Sequence, residues 1–154
     1  MSEPENGWAC SDGEPFLEET IRPRHTDDLL ESLGELARRI EDKWREAGFD
    51  VPELRLRMIL DEAVLNAWIH GNRQDPAKQI SIRCSMGDDC ILEVVDQGDG
   101  FDHGNVADPT EANNITKSSG RGIFILRYFA ETVQWRCNGR HVIVRIGRSF
   151  NNGS

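Results

Sequence analysis

The sequence is short of positive charge, of paired cysteines and of long apolar runs, and each deficit disfavours a class of function. Its 18 Lys and Arg stand against 27 Asp and Glu, and the net charge of −9 disfavours docking on nucleic acid or anionic lipid, which depends on clustered cations. The four cysteines form no Cys-x-x-Cys pair and no His/Cys cluster, so neither a zinc site nor a redox motif is predicted. No apolar run approaches the roughly 18 residues of a membrane span.

What the sequence does contain fits one compact domain. Its 154 residues are 38% apolar and 29% charged, which is ordinary for a globular protein. Residues 1–14 are polar, acidic and aperiodic and predict a mobile tail, and residues 148–154 predict a short C-terminal tail. The domain is therefore expected to span residues 15–147. Because the first residues show no secretory signal, a cytoplasmic location with free thiols is expected.

Apolar periodicity and turn residues predict five strands and three helices. The strands are expected at residues 16–21, 80–84, 90–95, 132–137 and 141–146. The helices are expected over residues 26–48, 51–71 and 122–131, with Thr26 as the N-cap of the first. Strands grouped in antiparallel hairpins, with the helices on one face, predict an α+β fold: a two-layer sandwich with a mixed, mostly antiparallel sheet.

Three polar side chains recur every four residues in the second predicted helix: Glu62, Asn66 and His70. Because an α-helix completes slightly more than one turn in four residues, these side chains form one polar ridge beside an apolar stripe. A carboxylate and a carboxamide on such a ridge are suited to orienting a nucleophile and holding a metal ion. A solvated helix face predicts the same spacing, so this segment alone leaves both interpretations open.

Two glycine motifs follow later in the chain. Asp96-Gln97-Gly98-Asp99-Gly100 ends an apolar strand, and its glycines let a ligand lie against the backbone. Gly120-Arg121-Gly122 opens a helix, where free amides and the helix dipole favour phosphate. The polar segment between them, residues 97–119, has a length typical of a functional lid or a disordered loop. Each glycine pair alone also occurs in ordinary tight turns.

The order of these motifs resembles the Bergerat ATP-binding fold of the GHKL superfamily, which includes DNA gyrase, histidine kinases and mismatch-repair ATPases. Glu62-x-x-x-Asn66 is similar to the N box of that superfamily. Asp96-x-Gly98-x-Gly100 and Gly120-x-Gly122 are similar to its two glycine boxes. The Glu-x-x-x-Asn-Ala-x-x-His-Gly form, together with the small size, resembles the anti-sigma-factor serine kinases. The acidic tail has no counterpart in the resemblance.

The resemblance implies Mg-ATP as cofactor and assigns roles to individual residues. Asn66 would ligate Mg²⁺ through its amide oxygen, and Asp96 would bind the adenine amino group and select adenine over guanine. Glu62 would be the general base that takes a proton from a serine hydroxyl of a partner protein or from water. The other nucleotide-binding residues would be Gly98, Gly100, Lys117, Gly120, Arg121 and Gly122. An exposed loop lysine remains the alternative for Lys117, and His70 is interpreted as structural.

The same resemblance implies a Mg-ATP-dependent serine/threonine kinase that acts as an anti-sigma factor. It would bind a sigma factor and phosphorylate a STAS-type anti-anti-sigma antagonist. A homodimer is implied through the first strand and first helix, where Leu29, Leu33, Leu36 and Ile40 would serve either the core or the interface. Two alternatives stay open: a non-catalytic, ATP-gated protein-binding module, and a stand-alone histidine-kinase-like catalytic domain.

Overall fold

The computed structural model describes residues 14–98, 125–137 and 140–147. The strands are β1 (Glu14–Ile21), β2 (Ile80–Met86), β3 (Cys90–Val95), β4 (Thr132–Arg136) and β5 (His141–Ile146). The long helices are α1 (Thr26–Glu46) and α2 (Glu53–Asn66), the second continuing into a π-helical turn at Ala67–Gly71. Residues 125–129 are also helical, within the third predicted helix.

The five described strands form one sheet in the order β1-β2-β3-β5-β4, and every neighbouring pair is antiparallel. Cys84 lies opposite Leu92, which lies opposite Val144, and all three are fully buried. Because alternate residues of a strand share a face, this row is part of the sheet face that packs against α1 and α2. The predicted α+β two-layer sandwich is confirmed.

The apolar stripe of α1 lies in the core of the chain itself. Leu29, Leu33 and Ile40 are 0% exposed and Leu36 is 4% exposed. Full burial of each such side chain contributes about 1.5–3 kcal/mol to folding. The sequence left open whether this stripe serves the core or a dimer interface, and the structure shows that it lies in the core. Any dimer contact on this element must use its other faces.

The first helix has a different N-cap from the predicted one. His25 has extended backbone, and its Nδ1 accepts a hydrogen bond from the Asp28 amide at 3.2 Å. Thr26, the predicted cap, is instead the first helical residue. Its hydroxyl accepts from the indole nitrogen of Trp68 at 3.2 Å. A buried indole N–H needs a partner, and this requirement takes the threonine side chain away from the helix end.

The second helix stops being an α-helix five residues before its predicted end. After Asn66, the backbone widens into the π-helical turn, with the Asn72 amide bonded to the Ala67 carbonyl at 2.7 Å. The four-residue spacing of polar side chains continues through the turn, so it gives no sign of the change. Tertiary packing explains it, because Trp68 is 1% exposed and Gly71 lies against Asp96. Single π turns of this kind are frequent at functional sites.

Several predictions fall outside the described residues. These are most of the lid at 97–119, both predicted tails apart from Glu14, and the implied nucleotide contacts Gly100, Lys117, Gly120, Arg121 and Gly122. No helix in the described ranges combines the length and the apolarity that a membrane crossing requires.

Candidate functional site

The end of the second helical segment and the end of β3 meet in direct contact. A Cβ atom on Gly71 would overlap the carboxylate of Asp96, far inside the 3.0 Å limit of real Cβ contacts. A Cβ on Gly98 would overlap the carbonyl group of Gly71 in the same way. Both positions therefore require glycine, and the reason is a close approach of two chain segments. This contact brings the end of the helical segment that carries the predicted N box against the first glycine box.

Asp96 is a buried carboxylate oriented by backbone. Its side chain follows β3, the residue is 6% exposed, and Oδ1 accepts from the Gly98 amide at 2.8 Å. Burial raises the pKa of Asp96 to about 6, while the Gly98 hydrogen bond and the charges of Arg140 and Lys78 act in the opposite direction. The group is thus a fixed hydrogen-bond acceptor at neutral pH and above. It is suited to an amino donor on a ligand.

Asn66 lies at the last α-helical position, only 9% exposed. Its amide nitrogen is buried and has no hydrogen-bond partner among the described residues. Leaving a buried polar group without a partner costs about 1–3 kcal/mol, so folding alone does not explain this side chain. A buried amide nitrogen without a partner, at the end of α2 that leads into the turn packed against Asp96, fits a ligand-binding role.

Glu62 lies four residues before Asn66 on α2 and is half-buried. Burial raises its pKa from the ordinary value, and the neighbouring Asp61 carboxylate raises it further. Asp61 is itself paired with Arg57 at 3.2 Å, whereas no such ion pair is described for Glu62. A raised pKa makes a carboxylate a better proton acceptor, which is the property that a general base needs.

A family model for the histidine kinase-like ATPase domain matches residues 26–146 of the chain. The chain belongs to the histidine kinase-like ATPase domain family. Membership implies ATP binding, and it agrees with the α+β sandwich and with the motif order Glu62/Asn66, Asp96/Gly98. No curated protein matches the chain.

The donor groups of this ATPase domain fit a magnesium ion held jointly with a nucleotide. Within the described ranges, no group of three or more His, Cys, Asp or Glu residues could hold a metal ion. Mg²⁺ commonly takes one or two protein oxygens and completes its shell with phosphate and water. Asn66 would offer such an oxygen, on a buried carboxamide whose nitrogen has no partner among the described residues.

His70 lies inside the π-helical turn and is half-buried. Burial lowers its pKa, so the imidazole is neutral at pH 7. The change from α to π geometry also takes His70 off the straight ridge that the sequence predicts for Glu62, Asn66 and His70. Its structural role stays a prediction.

Sequence reasoning missed two residues that build this site. The sequence predicts Gly71 as the end of the second helix and as part of the family form, with no contact of its own, and it assigns no role to Asn72. Asn72 is 1% exposed, and its side chain bonds the backbone of both Gln79 and Gln97. The available signal was a Gly-Asn pair directly after the helix, but its partners lie 7 and 25 residues away in sequence.

A separate groove of about 360 Å³ lies between β1 and α1. It is lined by residues that include Glu19, Arg22 and Arg39. None of the predicted ATP-site residues that the structure describes lines this groove, so the groove is not the predicted nucleotide site. In this ATPase domain the candidate site lies instead where Gly71, at the end of the segment that carries Asn66, meets Asp96.

Proposed function

We propose that the chain is a Mg-ATP-dependent protein serine/threonine kinase that acts as an anti-sigma factor and phosphorylates a STAS-type anti-anti-sigma protein. The observation that carries the catalytic part is Glu62, a half-buried carboxylate with a raised pKa on the same helix as Asn66. A domain that only binds nucleotide has no need of a proton acceptor there. Membership in the ATPase family supports the ATP part.

Three of the described residues have different proposed roles in binding Mg-ATP. Asp96 accepts a hydrogen bond from the adenine amino group, and Gly98, whose Cβ side faces the Gly71 carbonyl, orients that carboxylate through its amide. Asn66 holds Mg²⁺ through its side-chain oxygen, and the ion, when bound, neutralises charge on the phosphates. The phosphate contacts assigned to Lys117 and to Gly120-Arg121-Gly122, and the nucleotide contact of Gly100, remain predictions from the resemblance.

In the proposed reaction, a serine or threonine hydroxyl of the partner attacks the γ-phosphorus of ATP. The bond between that phosphorus and the β–γ bridging oxygen breaks, and ADP leaves. Glu62 takes the hydroxyl proton as the new oxygen–phosphorus bond forms. Its raised pKa favours this transfer, because a more basic carboxylate holds the proton better.

The test is phosphate transfer from labelled Mg-ATP to a STAS-domain protein. Glu62→Gln keeps the size of the side chain but loses the base, and we expect roughly 10²–10⁴-fold slower transfer with ATP affinity retained. Glu53→Gln, at the exposed start of the same helix, is the matched control and should keep the wild-type rate. Undiminished transfer by Glu62→Gln would contradict the catalytic assignment.

The same assay separates the alternatives. A chain that binds Mg-ATP but phosphorylates no STAS-domain protein is the ATP-gated binding module. Acid-labile phosphate on the product identifies histidine-kinase-like chemistry, whereas acid-stable phosphate supports the serine/threonine kinase.

The proposal includes binding to a sigma factor, a homodimer and a cytoplasmic location. For the homodimer, β1 is an edge strand of the described sheet, so its outer edge is a suitable contact surface. Sedimentation of the purified chain tests the dimer.

A further inference from the structure

Asn72 is almost completely buried although its side chain is polar, and both ends of its carboxamide are used. Nδ2 donates to the backbone oxygen of Gln79 at 3.1 Å, and Oδ1 accepts from the backbone nitrogen of Gln97 at 2.8 Å. The partners, one carbonyl and one N–H, determine which end of the amide is which. A buried amide bonded at both ends has one orientation, so it fixes the distance between the two backbone segments that it joins.

Gln97 strengthens this link from its own side. Its Oε1 accepts from the Gln79 amide at 2.8 Å, so three hydrogen bonds connect residues 72, 79 and 97. Arg22, directly after β1, donates two hydrogen bonds to the side-chain oxygen of Gln79, at 2.9 and 3.2 Å. These bonds also hold Gln79 in place. The peptide that follows Asp96 is therefore held against the helix end by contacts that do not involve the Asp96 side chain.

We infer that Asn72 is a positioning residue for adenine recognition: by holding the Gln97 amide, it fixes the direction in which the Asp96 carboxylate faces the base. The inference rests on the proposed ATP site. Adenine presents an amino donor where guanine presents a carbonyl oxygen. A fixed carboxylate therefore attracts adenine and repels guanine, whereas a carboxylate free to turn loses contact with the first and relaxes its repulsion of the second.

The experiment compares the dissociation constants of Mg-ATP and Mg-GTP by calorimetry at pH 8. Burial raises the pKa of Asp96 only to about 6, so this carboxylate is ionised under these conditions. Asn72→Ala removes both bonds, and we expect the preference for ATP over GTP to fall at least about tenfold, since a weakened hydrogen bond between the adenine amino group and the charged Asp96 has a cost of this order. Asn72→Asp keeps the acceptor for the Gln97 amide but loses the donor to the Gln79 carbonyl, so it should lose stability and should lose less of the preference than Asn72→Ala does.

Ile40→Val controls for lost stability alone. Ile40 is fully buried on α1, and this substitution typically costs about 0.5–1.5 kcal/mol without changing polar groups. Its ATP/GTP preference should stay at the wild-type value. A folded Asn72→Ala chain that melts earlier, but keeps the wild-type preference, shows a purely structural role and overturns the inference.

Hydrogen exchange on the wild-type chain gives a test that needs no variant. If the Asn72 bond fixes the loop before the nucleotide arrives, the Gln97 amide should be protected in the nucleotide-free protein. Fast exchange of that amide contradicts the inference and leaves the proposed function standing. A wild-type chain that binds neither nucleotide overturns the proposed function, and the role of Asn72 with it.

Discussion

At the scale of single residues, the Asp96 carboxylate is oriented by the backbone rather than by a paired cation. The Gly98 amide bonds Oδ1 at 2.8 Å, and Gly71 leaves just enough room for the carboxylate. Because burial outweighs the hydrogen bond and the nearby positive charges, the pKa of Asp96 rises to about 6. The protonation state of this group therefore changes within the range of pH in which proteins are usually studied.

The affinity for ATP should fall as the pH is lowered below 6. The ionised carboxylate accepts from the adenine amino group more strongly than the protonated acid, which keeps one acceptor oxygen, so affinity is expected to drop by up to about tenfold for each pH unit below the pKa of Asp96. Calorimetry from pH 8 to pH 5 measures this. Asp96→Asn serves as the control, because its remaining pH dependence comes from groups other than the Asp96 carboxyl, such as the nucleotide phosphates. If the affinity for ATP falls with pH in the same way for wild type and Asp96→Asn, then Asp96 does not contact the base.

The stability of the nucleotide-free chain should change in the opposite direction. Because the pKa of Asp96 is higher in the folded chain than the ordinary 3.8, folding favours the protonated form. The stabilising contribution of that proton is fully present below pH 3.8 and is lost as the pH rises through about 6. In urea unfolding, Asp96→Asn should therefore gain stability relative to wild type on going from pH 5 to pH 8.

At the scale of elements, Arg55 joins two helical segments. It is 6% exposed on α2, and its Nε donates to the backbone oxygen of Phe129 at 2.7 Å, at the end of the helical residues 125–129. A helix end leaves carbonyls without intrahelical partners, and a cationic side chain there satisfies one of them. Burial lowers the pKa of Arg55, and the charge of Glu131 acts in the opposite direction. The buried guanidinium thus ties α2, which carries the site, to this C-terminal helical segment.

Replacing Arg55 with Met should destabilise the chain by about 1–3 kcal/mol in urea unfolding, because the Phe129 carbonyl loses its buried partner. Met keeps most of the apolar stem, so lost packing contributes little. Arg57→Met on the same helix is the matched control. Its partly exposed ion pair with Asp61 should contribute less than about 1 kcal/mol. If the free energy of unfolding falls equally in the two variants, the hydrogen bond of Arg55 to the Phe129 carbonyl adds no stability.

The elements differ in how far sequence could predict them. The leucine stripe of α1 and the strands β2, β3 and β5 follow from local periodicity, because one face of each is buried against the same core. The π-helical turn at Ala67–Gly71 does not, because the spacing of its polar residues is the same as in an α-helix. Its cause is a contact between Gly71 and Asp96, which are far apart in sequence.

The site was predictable to a similar extent. Glu62, Asn66, Asp96 and Gly98 could be proposed as site residues because chemistry-bearing residue types recur there at fixed spacing, and their contacts with a ligand stay predictions. Asn72 could not, since an asparagine after a glycine is typical of any turn and its partner Gln97 lies 25 residues away. Motifs thus indicate groups that would touch a ligand, while the groups that orient them depend on tertiary contacts.

At the scale of the whole molecule, nucleotide binding and folding stability are coupled through Asn66. Its buried amide nitrogen has no partner among the described residues, so the nucleotide-free chain carries an unfavourable group at the end of α2. Removing that group should stabilise the free chain, because alanine also has the higher helix propensity. The proposed function requires the opposite effect on the Mg-ATP complex.

Without nucleotide, the free energy of unfolding of Asn66→Ala should therefore be about 1 kcal/mol higher than that of wild type, so the variant unfolds at a higher urea concentration. Mg-ATP should stabilise the variant less than it stabilises wild type. At 100 times its dissociation constant, a ligand stabilises the native state by about 2.7 kcal/mol. We expect wild type to show this gain with Mg-ATP and a smaller gain with ATP and chelator. The variant should show the same gain in both conditions, because its magnesium ligand is gone. A variant that keeps the full magnesium increment would disprove ion binding by Asn66, and the raised stability of its free form would then need another cause than a ligand site.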